Sequence, residues 1–322
     1  MIRALLLAAT ALALWSPLVA SAQDRADATA ASPSFPSPHE EAAASITAVE
    51  TSGDVEAGLS PDEGAYVRTH DRAWSVRLGL LLQFRYQLST TPAPSDESEF
   101  IVRVVRPQLR GTVLVPWVRF LIQPELAGAS ARLLDMQIDI QPHEAIGLRV
   151  GQFPTPFSRT FTTPVPALLF PDFAQANDCF RADRDTGAML YGAPFGGVLE
   201  YFVVAFDGNR INQGGNDDDR MMYMARIVAS PLGAVSADET PQLGAHVPFR
   251  FSIGVDGYLG EATATDTTTD PITGAAITTR SLEESQTVGA DFQVRWETLS
   301  VQAEIYRRCT RDSSRSMRSA TT

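Results

Sequence analysis

The basic side chains of this chain are all arginine: 26 of them and no lysine, against 38 carboxylates, for a net charge of −12. A guanidinium stays charged at any physiological pH and presents a planar fork that fits carboxylate and phosphate oxygens. Arginines gathered on one surface are therefore equipped to hold anions, not to relay protons. Arg77, Arg85, Arg106, Arg110, Arg119, Arg149, Arg226, Arg250 and Arg295 all fall on the polar side of segments in which polar and apolar residues alternate. Arg103 is the exception, lying opposite Arg106 in its segment.

Covalent chemistry has no comparable support. His39, His70, His143 and His246 are scattered, and neither HExxH, GxSxG, a Walker motif nor a dinucleotide fingerprint occurs. His143-Glu144 reads as a turn pair, with a catalytic dyad as the alternative. Asp217-Asp218-Asp219 reads as a solvated acidic loop, with an oxygen-ligated calcium site as the alternative. Two cysteines, Cys179 and Cys309, exclude a disulfide scaffold and a four-thiolate metal site, and Cys179 reads as a small buried residue. The acidic balance argues against nucleic acid as a partner. No enzyme activity, cofactor or metal is expected.

The elements that must carry the arginines are strands. Leu78, Leu80, Leu82, Phe84, Tyr86 and Leu88 share one face, while Arg77, Gln83, Arg85 and Gln87 share the other. A period of two is that of a strand, whose successive side chains point to opposite sides. The pattern recurs over 118–126, 134–141, 249–259, 288–297 and 299–308. A soluble sandwich also alternates, but three features point to a barrel in lipid. The segments have the nine to eleven residues of a tilted crossing, and their polar faces carry full charges at mid-strand. Trp74, Phe84, Tyr86, Trp117, Phe206, Tyr258, Trp296 and Tyr306 stand toward segment ends, as interfacial girdles would. Tight connections at Val115-Pro116 and Glu297-Thr298 alternate with long polar ones at 207–220 and 260–285. The fold expected is all-β, a transmembrane antiparallel β-barrel. Arg103 fits it through a β-bulge near Pro107 or by snorkelling to the interface.

The amino terminus gives the route. Met1-Ile2-Arg3, the apolar run Ala4–Leu14 and Ala20-Ser21-Ala22 form a secretory signal over residues 1–22. No later segment has eighteen consecutive apolar residues, so helices do not span a membrane here. Residues 23–65, rich in Ala, Ser, Pro and acids, read as a flexible arm. Residues 66–308 read as the barrel and 309–322 as an irregular polar tail. About eleven strands are readable, an odd number where single-chain bacterial barrels are even, so the barrel reads as incomplete, or else as a smaller one of ten or twelve strands.

One connection stands apart. After Leu148–Phe153 a Pro-broken segment runs to Arg184 and carries Phe157, Phe161, Leu168, Leu169, Phe170, Phe173 and Phe180. So much apolar surface needs a covered partner, and folding inward would supply one. Phe157, Arg159, Phe161, Arg181, Arg184 and Asp185 are its candidate constriction residues.

The order LRVGQFPTPF (148–157), RDTGAML (184–190), EYFVVAFDGN (200–209) and MARIVASPLG (224–233) resembles the phosphate-selective porin O and P family. Phe100–Thr112 is similar to that family's arginine-rich strand, and Ile122–Glu125 with Leu133–Asp135 to its next hairpin, so the resemblance covers roughly 70–308. It implies a sixteen-stranded, trimeric outer-membrane barrel of a Gram-negative bacterium, with a loop folded into the pore. It also implies an arginine-lined path for passive diffusion of small anions such as phosphate or polyphosphate. By position, Arg103 and Arg106 match the family's strand arginines and Arg184 the Arg of its RDxG block. The chain departs in having no lysine, in placing Glu125, Asp135, Asp139, Asp256, Asp291 and Glu304 on the polar faces, and in its strand number. A non-selective structural barrel and a barrel enzyme are the alternative expectations.

Overall fold

In a computed structural model of the full chain, the residues described are 49–50, 54–60, 64–89, 97–128, 130–212, 216, 220–240, 246–269 and 276–320. The signal segment, most of the arm and Asp217–Asp219 lie outside them. The chain divides into two compact units, Met1–Leu133 and Leu134–Thr322. Both are built of antiparallel strands, and no helix among the described residues is long and apolar enough to cross a membrane.

In the first unit each strand pairs with its neighbour in sequence: β1 (Val49–Glu50), β2 (Val55–Ser60), β3 (Gly64–Thr69), β4 (Ser75–Ser89), β5 (Glu97–Val113) and β6 (Val115–Glu125). The arm expected over 23–65 thus ends early, because Val55, Ala57 and Leu59 are taken into a ladder with β3. The β3–β4 turn is held by Asp71, which accepts from Thr69 Oγ1 at 2.5 Å and Ala73 N at 3.0 Å. Those hydrogen bonds, the one from Thr69 foremost, hold its carboxyl below the ordinary aspartate range. The β5–β6 connection is tighter than expected, turning at Leu114 (φ 69°) with Val115 already in β6.

The Arg103 question resolves as a bulge. Gln83 pairs with Val104 but Phe84 with Val102, leaving Arg103 as the extra residue, and Arg103 Nη1 donates to Gln83 Oε1. The bulge sits at Arg103 itself, not at Pro107, and rejoins it to the polar side. There Arg106 meets Glu125 at 2.6 Å, Glu125 also accepts from Val105 N at 2.9 Å, and Gln108 meets Gln123 at 2.7 Å. Arg77 stands directly across from Arg110, while Arg119 is exposed opposite Thr112.

The second unit continues in the same way: β7 (Arg132–His143), β8 (Ile146–Pro154), β9 (Arg184–Gly192), β10 (Leu199–Phe206), β11 (Met222–Ala229), β12 (Arg250–Thr269), β13 (Ala276–Trp296) and β14 (Leu299–Ala320). Three expectations are corrected here. The polar stretch 260–285 is no long loop, since β12 and β13 stay paired as far as Thr269 and Ala276. The tail after Arg308 is not irregular, since β14 runs on to Ala320 beside β13. And β12, β13 and β14, at 20, 21 and 22 residues, are twice the length expected of a crossing.

Burial along these strands is inverted. Val255 is 59% exposed and its neighbour Asp256 only 5%; Ile305 is 71% exposed. Ile253, Leu259, Val288, Phe292, Trp296 and Val301 are exposed, while Ser252, Thr287, Asp291, Gln293 and Arg295 are buried. Water favours the reverse arrangement, since apolar area gains free energy on leaving it. The buried face is not uniformly polar, however. Phe153, Phe157, Met189, Val204, Phe206, Met222, Met224 and Tyr258 form one buried cluster. Phe206 and Tyr258 therefore lie on the buried face, opposite the exposed apolar rows, and Tyr306 packs against the same cluster. Gly151 sits at φ 123°, where a Cβ would lie 2.1 Å from Met136 O, so the glycine of VGQF is required by the backbone.

Candidate functional site

The segment between β8 and β9 docks onto the polar inner face of the second unit. It contains two short helices, α1 (Arg159–Thr162) and α2 (Gln175–Phe180), with a 3-10 turn at Val165–Ala167 between them. Ser158 begins it, buried and at φ 70°, an uncommon conformation for a residue with a side chain. What holds it there is hydrogen bonding. Ser158 Oγ accepts from Phe161 N at 3.1 Å, capping α1, and from Asn177 Nδ2 at 2.5 Å, tying α1 to α2. Ser158→Ala removes the acceptor of both hydrogen bonds and should cost about 1–3 kcal/mol, measured as a lower unfolding midpoint of the detergent-solubilised protein.

Beneath α1 lies an arginine–carboxylate cluster. Arg226, on β11, bonds Asp256 of β12 through Nη1 and Asp291 of β13 through Nη2 at 2.5 Å. Arg159 comes down from the segment to Asp291 Oδ1 (Nε at 2.7 Å) and to Gln293 Oε1 (Nη1 at 3.2 Å). The backbone N–H of Ser158 faces Asp256 Oδ2 at 3.4 Å. Thr160 gives both its N–H, at 2.7 Å, and its hydroxyl, at 2.6 Å, to Glu304 of β14. Three neighbouring strands thus present carboxylates at matched depth, and the segment meets them with a guanidinium, a hydroxyl and backbone donors. Buried charges are tolerated only when so paired.

Aromatic rings fasten the ends of the segment. Phe157 packs edge-on to Tyr258 with ring centroids 5.0 Å apart, and Phe180 stacks on Tyr306 at 5.4 Å. Arg308 lies over Phe180 and gives Nη2 to the carbonyl of Phe180 at 2.9 Å and to Tyr258 Oη at 2.7 Å. Within the segment, Phe161 packs beside Phe173, with Arg181 over both rings and Arg184 over Phe161.

The candidate constriction residues are therefore brought together, though not all in one place. Phe157 and Arg159 meet the strands directly. Phe161, Arg181 and Arg184 build the segment's own small core, with Arg184 bound to Asp135 of β7 at 2.8 Å. Asp185 is buried and accepts from Thr186 N at 2.8 Å. Of the strand arginines in this unit, Arg149 pairs with Asp139 at 2.7 Å. Arg250 gives Nη1 to Ala234 O at 2.8 Å. Arg295 is buried opposite Arg250, and among the described residues its Nε and Nη2 have no hydrogen-bond partner. Cys179, expected to be buried, is exposed on α2. His143 ends β7 and accepts from Ala145 N, in the turn that follows, at 3.1 Å. Thr160, Arg308 and Glu200 escaped the sequence reading. The first two sit beside residues that it singled out, and only contact with other strands marks them.

Compared with known proteins, the chain matches no family model and no curated protein.

Proposed function

We propose that this chain is an outer-membrane β-barrel through which small anions diffuse passively, of the type represented by the phosphate-selective porin O and P family. The inverted polarity of the strands carries the reading. An apolar row such as Ile253, Val255 and Leu259, exposed beside buried Ser252 and Asp256, suits a strand with lipid outside and a polar interior. The docked segment supports a constricted channel, and the inward arginines support passage of phosphate-like anions. The work is steric and electrostatic, with no covalent step, and a homotrimer is the assembly the resemblance implies. One observation favours a second reading, a non-conducting structural barrel. The guanidiniums of Arg106, Arg149, Arg159, Arg184 and Arg226 are each matched by a carboxylate, which leaves less positive potential than their number suggests.

Planar-bilayer recording under a salt gradient tests this. The expected result is discrete channels with a reversal potential on the anion side; cation preference would hand the selectivity to the carboxylates, and silent bilayers would favour the structural barrel. The lipid-facing side has its own test. Val255→Arg on the exposed face should cost about 2–4 kcal/mol at mid-bilayer, read as reduced heat-modifiable folding into vesicles.

A further inference from the structure

A cavity of about 300 Å³ lies within the second unit, between the docked segment and the strands, with Arg149, Arg159, Glu200, Arg226, Ser252 and Phe202 among its walls. Its three guanidiniums already have acidic partners: Asp139 for Arg149, Asp291 for Arg159, and Asp256 with Asp291 for Arg226. Glu200 is the charge left over. It is half-buried, accepts no hydrogen bond among the described residues, and lines the same cavity as Arg159 and Arg226. Ser252 Oγ, in a residue only 1% exposed, likewise has no hydrogen-bond partner among the described residues. Buried carboxylate and hydroxyl groups cost free energy until a donor or acceptor reaches them. Arg149 supplies the complementary feature. It bonds Asp139 through Nε, with its guanidinium carbon over the rings of Phe153 and Tyr191, and among the described residues its two Nη groups have no hydrogen-bond acceptor.

The geometry points to a binding site for a small zwitterion, a solute carrying an ammonium and a carboxylate on a short apolar frame. The ammonium meets Glu200 and the carboxylate meets Arg149, with the Ser252 hydroxyl available to either and Phe202 beside the frame. A simple anion leaves Glu200 unpaired and is repelled by it. A simple amine pairs with Glu200 but leaves the remaining donors of Arg149 without an acceptor. Only a solute with both charges satisfies both ends, and the volume is at the lower end of small-molecule sites.

This binding does not depend on conduction, and it is measured without a membrane potential. Purified full-length protein in detergent is titrated by calorimetry with 4-aminobutyrate, butyrate and butylammonium. 4-Aminobutyrate should bind saturably and about tenfold or more tighter than either, as one charge-assisted hydrogen bond allows. Glu200→Gln should erase that preference, and Ser252→Ala should weaken it less. Butyrate binding as tightly as 4-aminobutyrate, no saturable heat from any of the three, or a Glu200→Gln protein that keeps the preference each overturns the site. Should Glu200→Gln not fold, the ranking of the three solutes on the unmodified protein decides alone. A protein that conducts yet binds no zwitterion sinks this inference and spares the channel, and binding without conduction does the opposite.

Discussion

Deleting residues 160–178 and closing the gap with a short flexible linker is expected to raise single-channel conductance several-fold. The segment lost contains most of α1, the 3-10 turn and the first four residues of α2. It removes the Thr160–Glu304 bonds and Phe161, while Phe157, Arg159 and the strand cluster stay. Conductance rises steeply as a constriction widens, because an ion then keeps more of its hydration. The strands should still pair, since their ladders do not run through the segment. Unchanged conductance in a folded deletion variant would mean that the segment does not narrow the path.

The largest effect of a single substitution is expected at Asp291. Its two oxygens hold Arg226 and Arg159, and all three are buried or nearly so. Asp291→Asn keeps the shape but removes the charge that both guanidiniums share. Breaking a buried pair from one side leaves an uncompensated charge and costs about 3–5 kcal/mol. Asp178→Asn is the control. Asp178 pairs with Arg181 at 3.1 Å, but its side chain is 52% exposed, so its loss should stay within about 1 kcal/mol. Urea unfolding of both variants in the same detergent gives the comparison; equal midpoints would show that the cluster is solvated.

Much of the fold can be read from alternation, because a strand that buries one face writes its period of two into the chain. That is why Leu78–Leu88, Met136–Ile138 and Val288–Trp296 are recognisable one segment at a time. What alternation cannot give is register. Arg103 is off-face in the sequence, and only the offset between Gln83 and Phe84 shows it as a bulge. The polar run 260–285 hides a ladder because it has no apolar face to reveal it, although its threonines suit extended backbone well. The site is legible to a similar depth. The aromatic segment and the arginines stand out by type, and the carboxylates appear on the same polar faces. Which carboxylate meets which guanidinium depends on strand neighbours and on where one loop lands. Glu200 carries no local signal at all, since what marks it is that no hydrogen bond reaches it among the described residues.

The length of β12–β14 has a consequence outside any channel. At about 3.4 Å per residue and a tilt of roughly 40°, a twenty-residue strand such as β12 rises roughly 50 Å along the membrane normal, whereas the apolar band of an outer membrane is roughly 25 Å tall. In a bilayer, about half of this hydrogen-bonded ribbon would stand clear of the lipid as a stiff blade.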